Sequence, residues 1–367
     1  MSKVLLIILD GWGEGNKDYS NPIYLAKEKD FFEFARNHFP FYLLQASGIA
    51  VGLPWREEGN SEVGHLCMGI GKIYYQYYPR ITLAIKDGSF FKNKVLFACL
   101  NHAQKYNSRV HLIGLLTQGI IHAADEHLIA LLNFFKKNNF DRVYLHLFLD
   151  GKDSPPQSGL NLLEKLEKDI ERIKVGKIST LCGRTYGMDK NEYWKIKTQV
   201  AFYLITEGVG KEIKDYKSYI KNIYENNPDF IDENLEPVLV DKEGVVKDND
   251  VIFFFNFRAD GMVQLAKAFL EIEFPYFKRT PKNNLYIASM TKYLENIDYP
   301  IAFPPVKIYT SVSKIISENN LLQLKIAEKY KAYHLTYFFN GFINEPHPGE
   351  YWKILPSSEK NFRENPL

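Results

Sequence analysis

Ser61 is the residue whose type and surroundings best suit a nucleophile. It lies in the glycine-flanked segment 58–65, EGNSEVGH, shortly before the run LCMG. This position predicts that Ser61 lies at a helix start, where backbone N–H groups and the helix dipole favour a phosphate. An adjacent cation or metal ion could activate its hydroxyl for nucleophilic attack. The alternative is an ordinary serine that caps the helix with support from Glu or Gln, and the segment alone is compatible with both.

Asp10 is a second candidate, because it closes the apolar run Val4–Leu9 and is followed by GWG. A continuous aliphatic run of this kind predicts a central strand of a parallel sheet that helices cover on both faces. Asp10 would then lie at the carboxyl edge of the sheet, where ligands of open α/β folds bind. A carboxylate there could bind a metal ion. The alternative is an aspartate that caps the next helix or tightens a turn.

Three glycine-bearing turns each carry cations at or shortly after a predicted strand. A pocket for an anionic substrate requires cations of this kind. The alternative for each turn taken alone is a solvated surface ion pair. A histidine in a similar position could carry protons near its unperturbed pKa, although a single histidine is commonly structural. The polar residues of these segments are His122 in 119–122, Lys152 and Asp153 in 151–156, Arg184 and Lys190 in 183–190, and Arg258 in 256–261.

The composition limits the class of protein. The chain has 367 residues, of which 46% are hydrophobic, and this is enough for two packed domains. Its formal net charge of +2 argues against a nucleic-acid partner, although a local basic pocket for a small anion is compatible with it. Cys67, Cys99 and Cys182 lie far apart without a CxxC spacing. They indicate neither a disulfide framework nor a zinc finger, and they favour the reducing cytoplasm.

Short apolar runs alternate with helix-like stretches along the chain, and this alternation predicts an α/β fold. Turns near 78–79 and 299–305 contain proline, so they suit crossings between two domains. No run approaches the roughly 18 apolar residues of a membrane span, so we expect a soluble protein without a membrane partner. The strand-like runs after residues 4–9 are 110–116, 142–149, 251–257, 285–290 and 334–339, and the helix-like stretches include 127–137 and 159–173.

Taken together and in order, a series of segments resembles the cofactor-independent phosphoglycerate mutases of the alkaline phosphatase superfamily. These segments are LLIILDGWG, GNSEVGHL, GLLTQGIIH, YLHLFLDGKDSPP, LCGRTYGMDK, VIFFFNFRAD, AFPP, QLKIAEKYKAYHLTYFFNG and EPHPGE, and they cover nearly the whole chain. The resemblance implies an incomplete alkaline-phosphatase-like three-layer domain, formed by residues 1–77 and 301–367. An inserted α/β transferase domain, residues 78–300, would interrupt it and bind the glycerate.

The resemblance also implies a reaction, the interconversion of 3- and 2-phosphoglycerate in glycolysis and gluconeogenesis through a phosphoserine intermediate. Ser61 matches the nucleophile, and Lys331 matches a lysine close to it. Asp10 and Ser61 match two ligands of a pair of Mn²⁺ ions. A full-length member is expected to be a monomer whose partner is the small-molecule substrate. The positions that match substrate binding or proton handling are His122, Lys152, Asp153, Arg184, Lys190 and Arg258.

The sequence departs from the family pattern in two ways. The family has arginine where this chain has Lys152, Lys190 and Gly261. Two of these positions keep the charge without the planar guanidinium group, and the third loses it. The family also continues beyond the equivalent of SSEKNFRENPL, with an Asp-x-x-x-His pair, an Asp-His pair and a further histidine as metal ligands. Asp10 and Ser61 alone cannot hold two Mn²⁺ ions of octahedral preference.

We therefore expect a C-terminally truncated chain whose full-length form is the mutase and which is inactive as given. The alternative is a shortened, non-catalytic module that binds glycerate or regulates, and the replaced arginines favour it. A phosphatase or phosphopentomutase of the same superfamily is disfavoured by the segments GKDSPP, GRTYGMDK and FNFRAD. We also expect that apolar strand surface is exposed on the 301–367 side.

Overall fold

The computed structural model describes residues 3–26 and 30–358, and these divide into two compact units. The terminal unit comprises the described residues up to Gln76 and from Lys307 onward, whereas the inserted unit comprises Tyr77–Val306. The domain segments predicted from the sequence, 1–77, 78–300 and 301–367, stay a prediction beside this division.

Helices and strands alternate along much of the described chain, which confirms the predicted α/β class. The α-helices are α1 (Pro22–Leu25), α2 (Asp30–His38), α3 (Ser61–Ile70), α4 (Tyr77–Asp87), α5 (Lys94–Lys105), α6 (Asp125–Lys137), α7 (Gly159–Ile173), α8 (Arg184–Gly187), α9 (Gln199–Glu207), α10 (Tyr216–Asn226), α11 (Val263–Leu270) and α12 (Val312–Glu318). The strands are β1 (Val110–Leu116), β2 (Val143–Leu149), β3 (Lys177–Gly183), β4 (Lys211–Glu212), β5 (Val238–Leu239), β6 (Val251–Phe254), β7 (Tyr286–Ser289), β8 (Gln323–Glu328) and β9 (Glu350–Leu355). Shorter 3₁₀ turns are Gly48–Val51, Ser89–Lys92, Asp232–Asn234, Lys242–Gly244 and Lys329–Lys331, and π-helical turns are Trp194–Thr198 and His334–Phe338.

The inserted unit is built on a sheet with the strand order β4-β5-β3-β2-β1-β6-β7. The strands from β3 to β7 in this order pair in parallel. The short β4 and β5 pair in parallel with each other, and β5 joins β3 in antiparallel orientation. Every side chain of β1 and β2 is buried, as expected for continuous apolar strands that are covered on both faces. The strands predicted at 110–116 and 142–149 are thus confirmed.

The parallel central strands bring three polar residues to one edge of the sheet. Thr117 follows β1, Asp150 follows β2, and Arg184 follows β3. Because β1, β2 and β3 are neighbours that run in the same direction, these residues lie at the carboxyl edge of the sheet. This edge is where open α/β folds bind their ligands.

Two strands predicted in the terminal unit are wrong. Residues 4–9 form no strand, and Val4 and Leu5 are 92% and 83% exposed. A buried parallel strand requires hydrogen-bonded neighbours, and no strand in residues 3–26 and 30–358 pairs with this run. The run 334–339 is π-helical instead, and the N–H of Phe339 donates to the carbonyl of His334 at 3.2 Å. Periodicity cannot distinguish a strand from a helix in an apolar run this short.

The terminal unit contains a parallel sheet formed by β8 and β9. Leu324 of β8 and Tyr351 of β9 are 59% and 60% exposed, so apolar strand surface faces solvent, as expected for the 301–367 side. No helix in the described part of the chain is both long and apolar enough to cross a bilayer.

Candidate functional site

Ser61 is the first residue of α3, and its hydroxyl has no capping role. Asn60 caps the helix instead, because its side-chain oxygen accepts a hydrogen bond from the N–H of Val63 at 3.0 Å. The hydroxyl of Ser61 donates to Oδ2 of Asp10 at 2.5 Å. The capping alternative is therefore wrong. The hydroxyl lies at a helix N-terminus, where negative charge is stabilised.

Lys331 completes a cluster with Ser61 and Asp10 in the terminal unit. Its Nζ donates to Oγ of Ser61 at 3.0 Å and forms an ion pair with Oδ2 of Asp10. Burial raises the pKa of Asp10, but hydrogen bonds from Lys331 and Ser61 outweigh it and lower the pKa below its usual value. The carboxylate therefore stays ionised. The ammonium group is placed to stabilise negative charge that develops on the serine oxygen.

The backbone around Asp10 differs from its predicted placement. Asp10 lies in a turn in which the N–H of Trp12 donates to the carbonyl of Leu9 at 3.1 Å, and Gly11 has a φ of +82°. The predicted position at the carboxyl edge of a sheet is wrong because residues 4–9 form no strand. The turn alternative describes the backbone, while the side chain reaches Ser61 and Lys331.

A close backbone approach fixes α3 against the turn that follows Lys331. A Cβ atom on Gly69 would overlap the carbonyl oxygen of Phe339, so only glycine permits this contact. Lys331 ends the 3₁₀ turn that directly follows β8. The packing of Gly69 thus helps to hold Ser61, at the start of the same helix, near Lys331.

Two histidines beside this cluster were not singled out by sequence reasoning. Nδ1 of His65 lies 2.7 Å from the carbonyl oxygen of Ser61, so Nδ1 carries a proton that it donates. The His334 ring centroid lies 5.6 Å from that of His65. Burial lowers the pKa of His334, and the charges of Lys331 and His65 lower it further. The spacing of His65 four residues after Ser61 is the signal that could have identified it, since such residues share a helix face.

The described residues do not complete a metal site. They contain no group of three or more His, Cys, Asp and Glu side chains that could hold a metal ion. Asp10 and Ser61 offer three side-chain oxygen atoms, and the carboxylate of Asp10 already accepts from Lys331. Two Mn²⁺ ions of octahedral preference require many more ligands. The residues at hand therefore do not fit the implied metal pair by themselves.

A second cluster, in the inserted unit, contains His122, Asp153 and Arg184. Nδ1 of His122 lies 2.6 Å from Oδ2 of Asp153. Because an ionised carboxylate only accepts hydrogen bonds, Nδ1 carries the proton. Nη1 of Arg184 lies 3.2 Å from the same oxygen. Nε2 of His122 is buried and lacks a hydrogen-bond partner among the described residues, which leaves it available to exchange a proton.

The remaining predicted cations lie in half-exposed ion pairs of the inserted unit. Lys190 and Arg258 share Oδ2 of Asp260, at 2.8 and 3.2 Å. Lys152 pairs instead with Glu233 at 2.7 Å. Burial raises the pKa of Asp260, but the hydrogen bond from Lys190 and the charges of Arg258 and Lys190 outweigh burial and lower the pKa below its usual value. The surface-ion-pair alternative thus describes these three cations, and an anionic ligand would have to compete with Asp260 and Glu233 for them.

Sequence reasoning does not identify two further carboxylates, those of Asp260 and Asp150, that contact the second cluster. Oδ1 of Asp260 lies 3.4 Å from Nε2 of His122. Asp150 is fully buried and forms an ion pair with Arg184 at 2.5 Å. A signal for Asp150 is present in the sequence, because it closes an apolar strand just as Asp10 closes the run 4–9.

Gly261 packs directly against Met188. A Cβ atom at position 261 would lie 2.8 Å from Cε of Met188, so a larger side chain requires this methionine to move. The contact with Met188 therefore leaves no room at position 261 for a long cationic side chain unless Met188 moves.

Comparisons with known proteins agree with the resemblance. The family model described as "BPG-independent PGAM N-terminus" matches residues 81–295. The 2,3-bisphosphoglycerate-independent phosphoglycerate mutase of Listeria innocua is 40% identical over 366 residues, which cover 98% of this chain and 71% of that protein. The protein of the same name from Moorella thermoacetica is 38% identical, over 96% of this chain and 69% of its own length.

A solved structure is similar across the same extent. Leishmania mexicana phosphoglycerate mutase, crystallised at low cobalt concentration, has a TM-score of 0.64 at 26% identity, and the match covers 98% of this chain and 68% of that chain. Sequence and fold therefore lead to the same assignment. The chain belongs to the family of 2,3-bisphosphoglycerate-independent phosphoglycerate mutases.

Proposed function

We propose that this chain binds phosphoglycerate and carries the serine that accepts the phosphoryl group when 3- and 2-phosphoglycerate are interconverted. The observation that supports the serine's role is the hydrogen-bonded cluster of Asp10, Ser61 and Lys331 at a helix N-terminus. The reaction is inferred from the related proteins, which are named phosphoglycerate mutases. A cytoplasmic location belongs to the same proposal, and a monomeric state is expected of a full-length member of the family.

In the proposed transfer, Oγ of Ser61 forms a bond to phosphorus while the bond between phosphorus and the substrate oxygen breaks. The serine loses its proton, and the released substrate hydroxyl gains one. The neighbouring hydroxyl of the bound glycerate then takes the phosphoryl group from the serine, loses its own proton and returns one to Ser61. Lys331 and the N–H groups at the start of α3 would stabilise the negative charge on the transferred group.

The inserted unit would hold the glycerate in this scheme. Arg184 supplies a buried guanidinium group, and Lys190 and Arg258 supply half-exposed charges that both pair with Asp260. Nδ1 of His122 carries a proton and donates a hydrogen bond to Asp153. The Nε2 atom would therefore take and return the protons of the substrate hydroxyls. These roles rest on chemistry and on the resemblance.

Two Mn²⁺ ions are the cofactor that the resemblance implies, and they stay a prediction. The described residues supply Asp10 and Ser61 as candidate ligands and do not complete a site. We therefore propose that the 367-residue chain, taken alone, has no Mn²⁺-dependent mutase activity.

A second candidate function is a non-catalytic module that binds glycerate. The observation that favours it is the ion pair between Lys331 and Asp10, because an ammonium group already neutralises the carboxylate that would bind a metal ion. This candidate predicts that phosphoglycerate binds without any phosphoryl transfer.

Binding of substrate tests what both candidates share. We expect calorimetric titration of 3-phosphoglycerate to show saturable binding, which Arg258→Ala weakens about tenfold because a charge-assisted hydrogen bond is lost. Arg172→Ala is the matched control, since Arg172 is also an exposed arginine paired with an aspartate. Absence of binding by the wild-type chain, or equal loss in both variants, would refute a phosphoglycerate site in the inserted unit.

A further inference from the structure

Asp150 is a buried residue that contacts Arg184 of the second cluster. It is the first residue after β2, and its side-chain carboxylate is fully buried. The residue therefore cannot touch a ligand from solvent. Any effect of Asp150 on binding must pass through the groups that it contacts.

Four donors converge on this carboxylate. Its Oδ1 atom accepts from Nη1 of Arg184 at 2.5 Å and from the N–H groups of Lys152 and Asp153 at 3.2 and 3.1 Å. Its Oδ2 atom accepts from the hydroxyl of Thr117 at 2.6 Å. Burial raises the pKa of Asp150, but these donors outweigh it and lower the pKa below its usual value. The carboxylate is thus held as an anion.

The donors come from three separate loops at the carboxyl edge of the sheet. Thr117 follows β1, the turn 151–154 follows β2, and Arg184 follows β3. A single anion therefore fixes these loops relative to one another. Arg184 is only 7% exposed, so water cannot easily replace a lost partner of its guanidinium group.

We propose that Asp150 is the positioning residue that orients Arg184 and the turn 151–154 for phosphoglycerate binding. This inference rests on the proposed function of the inserted unit. Asp150 holds one edge of the guanidinium group, while Asp153 contacts the same Nη1 atom and also fixes His122. An uncharged side chain at position 150 would leave Arg184 without its nearest anionic partner, and Arg184 would turn away from this arrangement.

Asp250 provides a matched control in the same sheet. It directly precedes β6, so it lies at the opposite, amino end of the parallel strands. Its carboxylate is 2% exposed and pairs with Arg109 at 2.6 Å and with His111 at 3.0 Å. Asp250→Asn removes a buried carboxylate of similar chemistry that contacts none of the predicted site residues.

Calorimetric titration of 3-phosphoglycerate into a double-mutant cycle tests the inference. We expect Asp150→Asn to weaken binding by about ten- to hundredfold, the range for a hydrogen bond to a charged group. Added to Arg184→Lys, the same change should weaken binding less than about twofold, because the Oδ1 atom of asparagine still accepts from the turn 151–154 and the lost charge acts through Arg184. Asp250→Asn should change affinity by less than about twofold. Additive effects in the cycle, or an equal loss in Asp250→Asn, would overturn the inference.

Two further measurements keep the test decisive. Thr117→Val retains every charge and removes the hydroxyl that donates to Asp150 and accepts from the N–H of Gly119, so it should weaken binding by a few-fold. Nuclear magnetic resonance of the arginine side chains should show slow rotation of the Arg184 guanidinium group in the wild type and in Asp250→Asn, and fast rotation in Asp150→Asn. Slow rotation in Asp150→Asn overturns the positioning role even if the wild-type chain binds no phosphoglycerate, a result that would separately refute the proposed function.

Discussion

Nζ of Lys331 lies 3.0 Å from Oγ of Ser61, although 270 positions separate the two residues in sequence. The contact joins the two sequence segments of the terminal unit. It places a fixed positive charge beside the hydroxyl of Ser61. The same charge lies beside the carboxylate of Asp10, which accepts a hydrogen bond from that hydroxyl. The electrostatics of Ser61 therefore depend on Lys331.

Replacing Lys331 should raise the pKa of Asp10. Lys331 lowers this pKa both by its hydrogen bond and by its charge, so Lys331→Met should shift it upward. Titration of the Asp10 carboxyl carbon by nuclear magnetic resonance measures the shift. Lys329→Met is the control, since Lys329 is an exposed lysine of the same 3₁₀ turn. An unchanged Asp10 titration in Lys331→Met would contradict the ion pair.

Stability of the inserted unit should fall as the pH decreases below about 6.5, the ordinary pKa of histidine. Burial lowers the pKa of His111 and of His146, and lowers that of His127 to about 3. Between about pH 6.5 and 3 the unfolded chain therefore binds protons that the folded chain does not, which favours unfolding. For His127, whose pKa is lowered to about 3, the free energy of unfolding should decrease by up to about 1.4 kcal/mol per pH unit within this window.

Urea unfolding at several pH values tests this dependence. His127→Gln should reduce the slope by the contribution of one proton. His38→Gln is the control, since His38 is an exposed histidine of the terminal unit. An identical slope in the wild type and in His127→Gln would show that His127 does not carry this dependence.

The ion pair between Lys325 and Glu350 should be essential to the sheet of the terminal unit. The two side chains are 7% and 0% exposed and lie 2.8 Å apart. Lys325→Met leaves a buried carboxylate without its cation, and we expect a loss of about 3–5 kcal/mol in the free energy of unfolding. Lys314→Met breaks the exposed pair with Glu318 and should cost less than about 1 kcal/mol. Equal losses in the two variants, measured by urea unfolding, would count against this role.

The central strands of the inserted unit could be predicted from the sequence, whereas the strands of the terminal unit could not. The runs that became β1 and β2 are apolar apart from His111 and His146 and are buried throughout, so pattern and structure agree. Residues 4–9 show the same pattern but lie exposed, because periodicity does not reveal whether neighbouring strands exist. A strand pattern is thus reliable only where partners are present to cover it.

The candidate site was predictable in part for a similar reason. Ser61 and Arg184 stand out by residue type and spacing, while the place of Lys331 followed from the resemblance alone. Asp150 and Asp260 act through ion pairs that join distant segments. Such pairs depend on tertiary geometry that residue types do not encode.

Exposed apolar side chains of the terminal unit should bind a hydrophobic dye. Val4, Leu5 and Leu44 are 92%, 83% and 90% exposed. Leu5→Lys should therefore lower the fluorescence of anilinonaphthalene sulfonate and reduce aggregation measured by light scattering. Ile272→Lys is the control, since Ile272 is 96% exposed but belongs to the inserted unit. A monomeric wild type with negligible dye fluorescence would contradict this expectation.

Turnover of 3-phosphoglycerate to 2-phosphoglycerate by the purified chain tests the central claim most directly. The claim is that Ser61 holds the nucleophile position while the described residues do not complete the metal site. We predict that, with Mn²⁺ present, the wild type and Ser61→Ala show the same background rate. Mn²⁺-dependent turnover by the wild type that Ser61→Ala abolishes would contradict the account, because it would show that this chain assembles a working metal site.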